Sequence, residues 1–358
     1  MIIKPNGTIL SDSGNIIHFG VDDFVNKICS EDNCFLCGAS RAEKEFNDEH
    51  IIPKWVLRKY NLFNKHITLP NGKLFRYDRY TIPCCKECNS LLGEKIEDKV
   101  SDAFSKDYKY LQNFLNDNYH IVFIWMALIF LKTHLKDKTF KEDFKTNSKI
   151  SDYYDWETLH HIHCLVRAIC FNIPIDLRAL GSMIVLPAKK SKFYDVFDYA
   201  DIYYCKTMFI KFDNIAILVV LNDSCACMNM LKDLIERIKG PLNPLQFREL
   251  LVRFAHCNIS LLNRPVYYTD VDIKTGKLKI SVKHSDTIEI KEYNQKEYGE
   301  MLYYFIRPML EYFKSENIDW VETHLKEGDL SYLFDEKGDF NTKSIIFKAS
   351  NGIEIVET

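Results

Sequence analysis

The residues of this chain best suited to chemistry are cysteines. Cys34-Phe35-Leu36-Cys37 is followed by Gly38, Cys85-Lys86-Glu87-Cys88 is followed by Asn89, and 47 residues separate the two pairs. Two thiolates three positions apart on a tight turn can share one face of a tetrahedral ion, and a glycine after the turn supplies the positive φ that closes it. Two such pairs predict one structural zinc site held by Cys34, Cys37, Cys85 and Cys88. Cys84 is a neighbour of Cys85, but its spacing to Cys88 fits a knuckle worse, which leaves it outside the set. Cys29 reads as a bystander, and Cys225-Ala226-Cys227 has the wrong spacing. Cys164, Cys170, Cys205 and Cys257 lie in apolar surroundings, where a thiol behaves as a small hydrophobe.

Between the pairs lies Asn47-Asp48-Glu49-His50-Ile51-Ile52-Pro53. A neutral imidazole can accept a proton near physiological pH, and a carboxylate is a hard oxygen ligand for Mg²⁺ or Mn²⁺. Phosphodiester hydrolysis needs both, a base to activate water and a divalent ion to take up charge on the phosphate. Neighbouring residues on a strand face opposite ways, so joint service by Glu49 and His50 calls for a strand end or a bulge.

The order Cys34–Cys37, Glu49-His50-Ile51-Ile52-Pro53, Cys85–Cys88-Asn89 resembles the zinc-knuckle branch of the HNH endonucleases, over about 65 residues from Cys34 to Glu97. The resemblance implies a small ββα-metal, treble-clef-like module. It implies His50 as general base, Glu49 and Asn89 as ligands of a catalytic Mg²⁺ or Mn²⁺, and DNA as substrate. It also implies a bacterial anti-phage defence effector, with a small nucleotide activator, a homo-oligomer or a defence-system partner as candidate associations. Two departures stand out. Arg79-Tyr80-Thr81-Ile82-Pro83 carries no counterpart of the family's central Asn, and the span from His50 to Asn89 leaves room for an inserted hairpin. The missing Asn motivates the competing reading of a non-catalytic zinc module that binds nucleic acid or protein. Asp48, Glu94 and Glu97 are further oxygen donors, Glu97 being read as a solvated helix residue.

The charge around this segment is uneven. From Lys54 to Lys86 there are eight basic residues and one acid, Asp78, a net of +7 in 33 residues, so the chain total of −3 leaves −10 elsewhere. The total alone argues against a sequence-blind nucleic-acid binder. The local excess instead points Lys54, Arg58, Lys59, Lys73, Arg76, Arg79 and Lys86 toward phosphates.

These residues need elements to position them. With 358 residues, about two domains are expected: an HNH module over 1–115 and a larger α+β sensor, assembly or target-recognition domain over 116–358, α+β overall. The eleven-residue apolar run Ile121–Leu131 is too short to cross a bilayer, which needs roughly 20 residues, and reads as a buried helix. No membrane association is expected, and twelve cysteines without a signal-like start point to reduced thiols and the cytoplasm. Helices are expected over Asn118–Leu135, Trp156–Phe171, Met228–Ile238, Pro244–Cys257 and Tyr293–Phe313. Strands are expected over Met183–Leu186, Met208–Phe212 and Ala216–Leu221, with a hairpin around Lys274-Thr275-Gly276. His160-His161-x-His163 is the densest histidine cluster and reads as structural, because no acid or cysteine cluster accompanies it.

Overall fold

A computed structural model of the chain describes every residue except 107, 144, 190–196, 273, 311–317, 344, 349–353 and 358. The class is α+β, with several small separate sheets. Two compact units form: Met1–Leu180 with Val266–Lys283, and Gly181–Pro265 with His284–Thr358. The expected division at 115/116 falls inside a helix of the first unit.

The first unit opens with a three-stranded sheet, β1 (Ile2–Ile3), β2 (Ile9–Leu10) and β3 (Ile16–His18). Strand β4 (Phe46–His50) is followed by helix α1 (Lys54–Lys59), then by a hairpin of β5 (His66–Thr68) and β6 (Leu74–Arg76). This is the expected insertion, and Gly72 at its tip takes φ +74°. Strand β7 (Thr81–Cys85) returns to pair antiparallel with β4 and runs straight into α2 (Lys86–Leu92), completing a ββα unit. A π-helical turn, Gly93–Glu97, leads on to α3 (Asp98–Phe104).

Helix α4 (Tyr108–Asp137) bends at Asn118, whose φ of −125° is not helical. The expected helix start at Asn118 is therefore this bend. Every residue from Ile121 to Leu135 is buried, Lys132 among them, and Trp55 stacks on Trp125 with ring centroids 6.0 Å apart. By length and composition α4 could cross a membrane, but 61% of its most apolar window is buried inside the protein, as in a core helix. Helix α5 (His160–Cys170) packs against α4.

The second unit is built on an antiparallel sheet in the order β8-β11-β10-β9, with β8 Met183–Pro187, β9 Phe197–Ile202, β10 Thr207–Phe212 and β11 Ile215–Val220. Helix α6 (Pro244–Ser260) packs on it through Phe247, stacked on Phe209 at 6.0 Å. Its start is fixed by a reciprocal cap between Asn243 and Gln246, with Pro244 in the first turn. Helix α7 (Gln295–Leu310) lies on α6, and α8 (Ile318–Glu327) on α7. The expected end of α7 at Phe313 lies outside the described residues. The expected Met228–Ile238 helix is two short ones, Ala226–Met230 and Lys232–Glu236, broken at Leu231.

Candidate functional site

The first cysteine turn closes as its sequence demands. The Gly38 amide donates to the Cys34 carbonyl at 2.8 Å, and the Cys34 amide donates to the Ala39 carbonyl at 2.9 Å. Gly38 takes φ +73°, and a Cβ there would also come within 2.9 Å of the Phe19 ring. The second pair sits where β7 becomes α2, so Cys85 ends the strand and Cys88 lies one turn into the helix. The sulfurs of Cys34, Cys37, Cys85 and Cys88 all lie within 4.8 Å of one another, a group that can hold a metal ion. Cys37 and Cys85 stand 3.8 Å apart, near the edge of a tetrahedron of thiolates around one ion. Cys84 reaches Cys34 at 3.9 Å but is not a member of the group, as its spacing implied. Hydrogen bonds from Cys37, Cys84 and Cys88 hold the Cys34 thiol far below the usual thiol range, while the same contacts push the thiols of Cys84 and Cys88 well up and that of Cys37 to about 12. All twelve cysteines are free thiols.

A buried cation serves this cluster. Arg167, 3% exposed, projects from α5 and donates through Nη1 to the Leu36 carbonyl, inside the first cysteine turn. Its Nη2 donates to the carbonyls of Ile16 at 2.9 Å and Ile17 at 3.0 Å. No carboxylate pairs with it among the described residues, and Cys164, Cys37, Cys88 and Cys170 are its electrostatic neighbours.

Glu49 and His50 occupy the end of β4. The ladder is regular there, Glu49 opposite Ile82 and His50 opposite Thr81, with no bulge. The two side chains therefore leave opposite sides of the strand, and only the strand end at His50 offers the relaxation the sequence called for. His50 is half-buried, its ring edge-on to Phe63 at 6.3 Å, and its Nδ1 is buried without a hydrogen-bond partner among the described residues. Burial, then the nearby Lys54, lowers its pKa and keeps the imidazole neutral.

Glu49 is 8% exposed, and its Oε1 accepts from Lys132 Nζ at 2.9 Å. The same ammonium donates to the His50 carbonyl at 2.8 Å and lies 3.5 Å from Glu97 Oε1. Burial alone would lower the Lys132 pKa, but Glu49 and Glu97 outweigh it and hold it above its ordinary value. Glu97 is thus not the solvated helix residue expected. The π-helical turn inserts an extra residue per turn and rotates Glu97 inward, where burial pushes its carboxyl up to about 7 against the pull of Lys132. Glu94 pairs with Lys95 at the surface. The Asn89 amide donates to Asn47 Oδ1 at 3.0 Å. Asn47 and Glu49 share one face of β4, so Asn89 is tied to the Glu49 side of the strand, two positions away.

The basic residues divide by what holds them. Arg76 forms an ion pair with Asp78 and also donates to Asn64; Lys86 pairs with Glu45 at 2.7 Å; Lys59 donates to the Phe104 carbonyl at 2.9 Å. Lys54, Arg58 and Arg79 are exposed, with no ion pair among the described residues. Lys73 is exposed at the tip of the β5–β6 hairpin.

His160, His161 and His163 donate from Nε2 to the carbonyls of Phe19, Ala179 and Phe35, at 2.7, 2.9 and 3.1 Å. His160 lies with His18 and Cys164 in a second group of metal-compatible donors. Its Nε2 proton is committed to Phe19, which leaves that nitrogen no lone pair for an ion. The expectation that no cysteine accompanies these histidines does not hold, since Cys164 and His18 lie beside His160. Neither Lys132 nor Arg167 was singled out from sequence, although a lone charge in an apolar helical run marks the first.

No family model, curated protein or solved structure matches the chain.

Proposed function

We propose that the chain is a divalent-metal-dependent endonuclease of the HNH kind, its ββα unit stapled by zinc. The observation that carries this is the ββα unit itself. Glu49 and His50 end β4, β7 pairs back along them and passes straight into the helix bearing Asn89, and the four-cysteine group lies at that same strand–helix junction. A four-thiolate set with all sulfurs within 4.8 Å of one another suits Zn²⁺, whose bonds to sulfur are about 2.3 Å long. This ion would be structural.

Chemistry would occur at the end of β4. His50, kept neutral by burial, takes the proton from an attacking water. Glu49 and Asn89 offer carboxylate and amide oxygens to a Mg²⁺ or Mn²⁺, which when bound supplies positive charge to the scissile phosphate. Lys54, Arg58 and Arg79 hold the flanking phosphates without reading bases.

A second reading has its own support. Glu49 is already paired with Lys132, Asn89 with Asn47, and the ladder is regular. Those facts suit a zinc module that binds nucleic acid and does not cut it. Plasmid cleavage in Mg²⁺ or Mn²⁺, with EDTA and His50→Ala as controls, separates the two. The nuclease reading expects EDTA-sensitive cleavage that falls about 100-fold or more in the variant. Wild-type rates in His50→Ala would sink it.

A further inference from the structure

The strongest unassigned feature is the lysine in the middle of the core. Lys132 is fully buried and is the first charge after the apolar run Ile121–Leu131. An ammonium in such a place is costly unless it is paired and hydrogen-bonded. Its three protons could have gone to any carbonyl or acid near α4. Two of its contacts are instead the Glu49 carboxylate and the His50 carbonyl, 83 and 82 residues away in sequence, and the third is Glu97. Lys132 thus converges on the two consecutive residues that carry the candidate chemistry, and on a second carboxylate beside them.

The bond to Glu49 uses Oε1 only, and Oε2 accepts no hydrogen bond among the described residues. One oxygen is anchored while the other stays open to an ion. The bond to the His50 carbonyl fixes the main chain from which the imidazole projects.

We propose that Lys132 is a positioning residue of the candidate centre. From α4 it clamps the Glu49 carboxylate and the His50 main chain in the geometry that meets a divalent ion and a water. This rests on the nuclease reading above, but the clamp is separable from it.

The test uses the full chain as Lys132→Met and as Lys132→Met/Glu97→Met. The double variant removes the carboxylate that the single one would strand in the core, so it keeps the question answerable if the single variant fails to fold. Zinc content and cooperative unfolding establish that each protein is folded. At saturating Mn²⁺ the folded variant should cleave plasmid about 100-fold more slowly than wild type, as expected when a reacting group is misplaced. KM for DNA should stay within about twofold, and the half-activating Mn²⁺ concentration should rise, since a misplaced Glu49 binds the ion less well. Adding Glu49→Gln should cost less than about threefold more, because Lys132 acts through Glu49. Amide exchange across residues 46–51 should speed up while exchange elsewhere in the ββα unit does not. A folded, zinc-loaded variant that cleaves within threefold of wild type overturns the proposal. If wild type itself cuts no DNA in any divalent ion, the nuclease reading falls alone; exchange over 46–51 then decides the clamp, and unchanged exchange overturns it.

Discussion

Arg167 reaches from helix α5 into the first cysteine turn and donates to the carbonyl of Leu36, the residue just before the ligand candidate Cys37. A zinc ion held by four thiolates carries a doubly negative charge, and a buried guanidinium with no carboxylate partner among the described residues is a fitting counter-charge. Groups that support ligands in this way commonly contribute 10- to 100-fold in metal affinity, to order of magnitude. Arg167→Met should therefore surrender zinc to a chromogenic chelator about 10-fold faster than wild type or more. Arg167→Met that holds zinc as tightly as wild type would show the arginine to be a packing element only.

The neighbours Cys84 and Cys85 give a sharper test of the ligand set. Cys85 belongs to the four-sulfur group, whereas Cys84 only approaches Cys34. Cys85→Ser should lose zinc and its thermal transition should fall or broaden, because binding free energy of a structural ion is folding free energy. Cys84→Ser should keep one zinc per chain. Metal analysis of the two purified variants settles which sulfur is the ligand, and zinc loss on Cys84→Ser alone would reassign it.

Much of the first centre was legible because its information is local. Four cysteines at knuckle spacing and a glycine that must take positive φ lie within short windows. The surroundings of Glu49 were not legible, because Lys132 comes from 83 residues away. Glu97 was misread for a local reason, since regular 3.6-residue spacing does not foresee a π-helical turn. Strand β9 escaped notice because Asp198 and Asp201 interrupt its apolar pattern; in the fold Asp198 is matched by Arg248, 2.9 Å away. The second unit carries helices and strands near where periodicity placed them, but no motif that states its task.

The basic stretch should behave as its ion pairs dictate. Each cation that displaces a counterion from DNA contributes about 0.9 to the slope of log affinity against log salt. Lys54→Ala, Arg58→Ala and Arg79→Ala should each lower that slope by about 0.9 and weaken binding alike across sequences. Arg76→Ala should change it little, because Arg76 is engaged by Asp78. Anisotropy titrations of labelled duplexes over a salt series, in the His50→Ala background, measure this. An Arg76 effect as large as that of Arg58 would place the DNA contact elsewhere on the stretch.

The buried histidines should make the first unit acid-sensitive well above the carboxylate range. Burial lowers the His161 pKa from 6.5 to about 3, with its ring stacked 3.6 Å from Tyr267 and its Nε2 donating to Ala179. Above pH 6.5 the ring is neutral in both folded and unfolded chains, and its contribution is fully present. As pH falls from 6.5 toward 3 only the unfolded chain takes up the proton, so stability is lost across that window and no further below it. His161→Gln keeps a polar side chain but cannot titrate. It should be less stable than wild type at pH 7, and the gap should narrow by about 1 kcal/mol by pH 5, allowing for the partly exposed ring edge. Urea unfolding of both proteins at the two pH values measures the gap, and the comparison cancels the acid release of metal that both proteins share. A gap that stays constant from pH 7 to pH 5 would mean that His161 titrates alike in folded and unfolded chains.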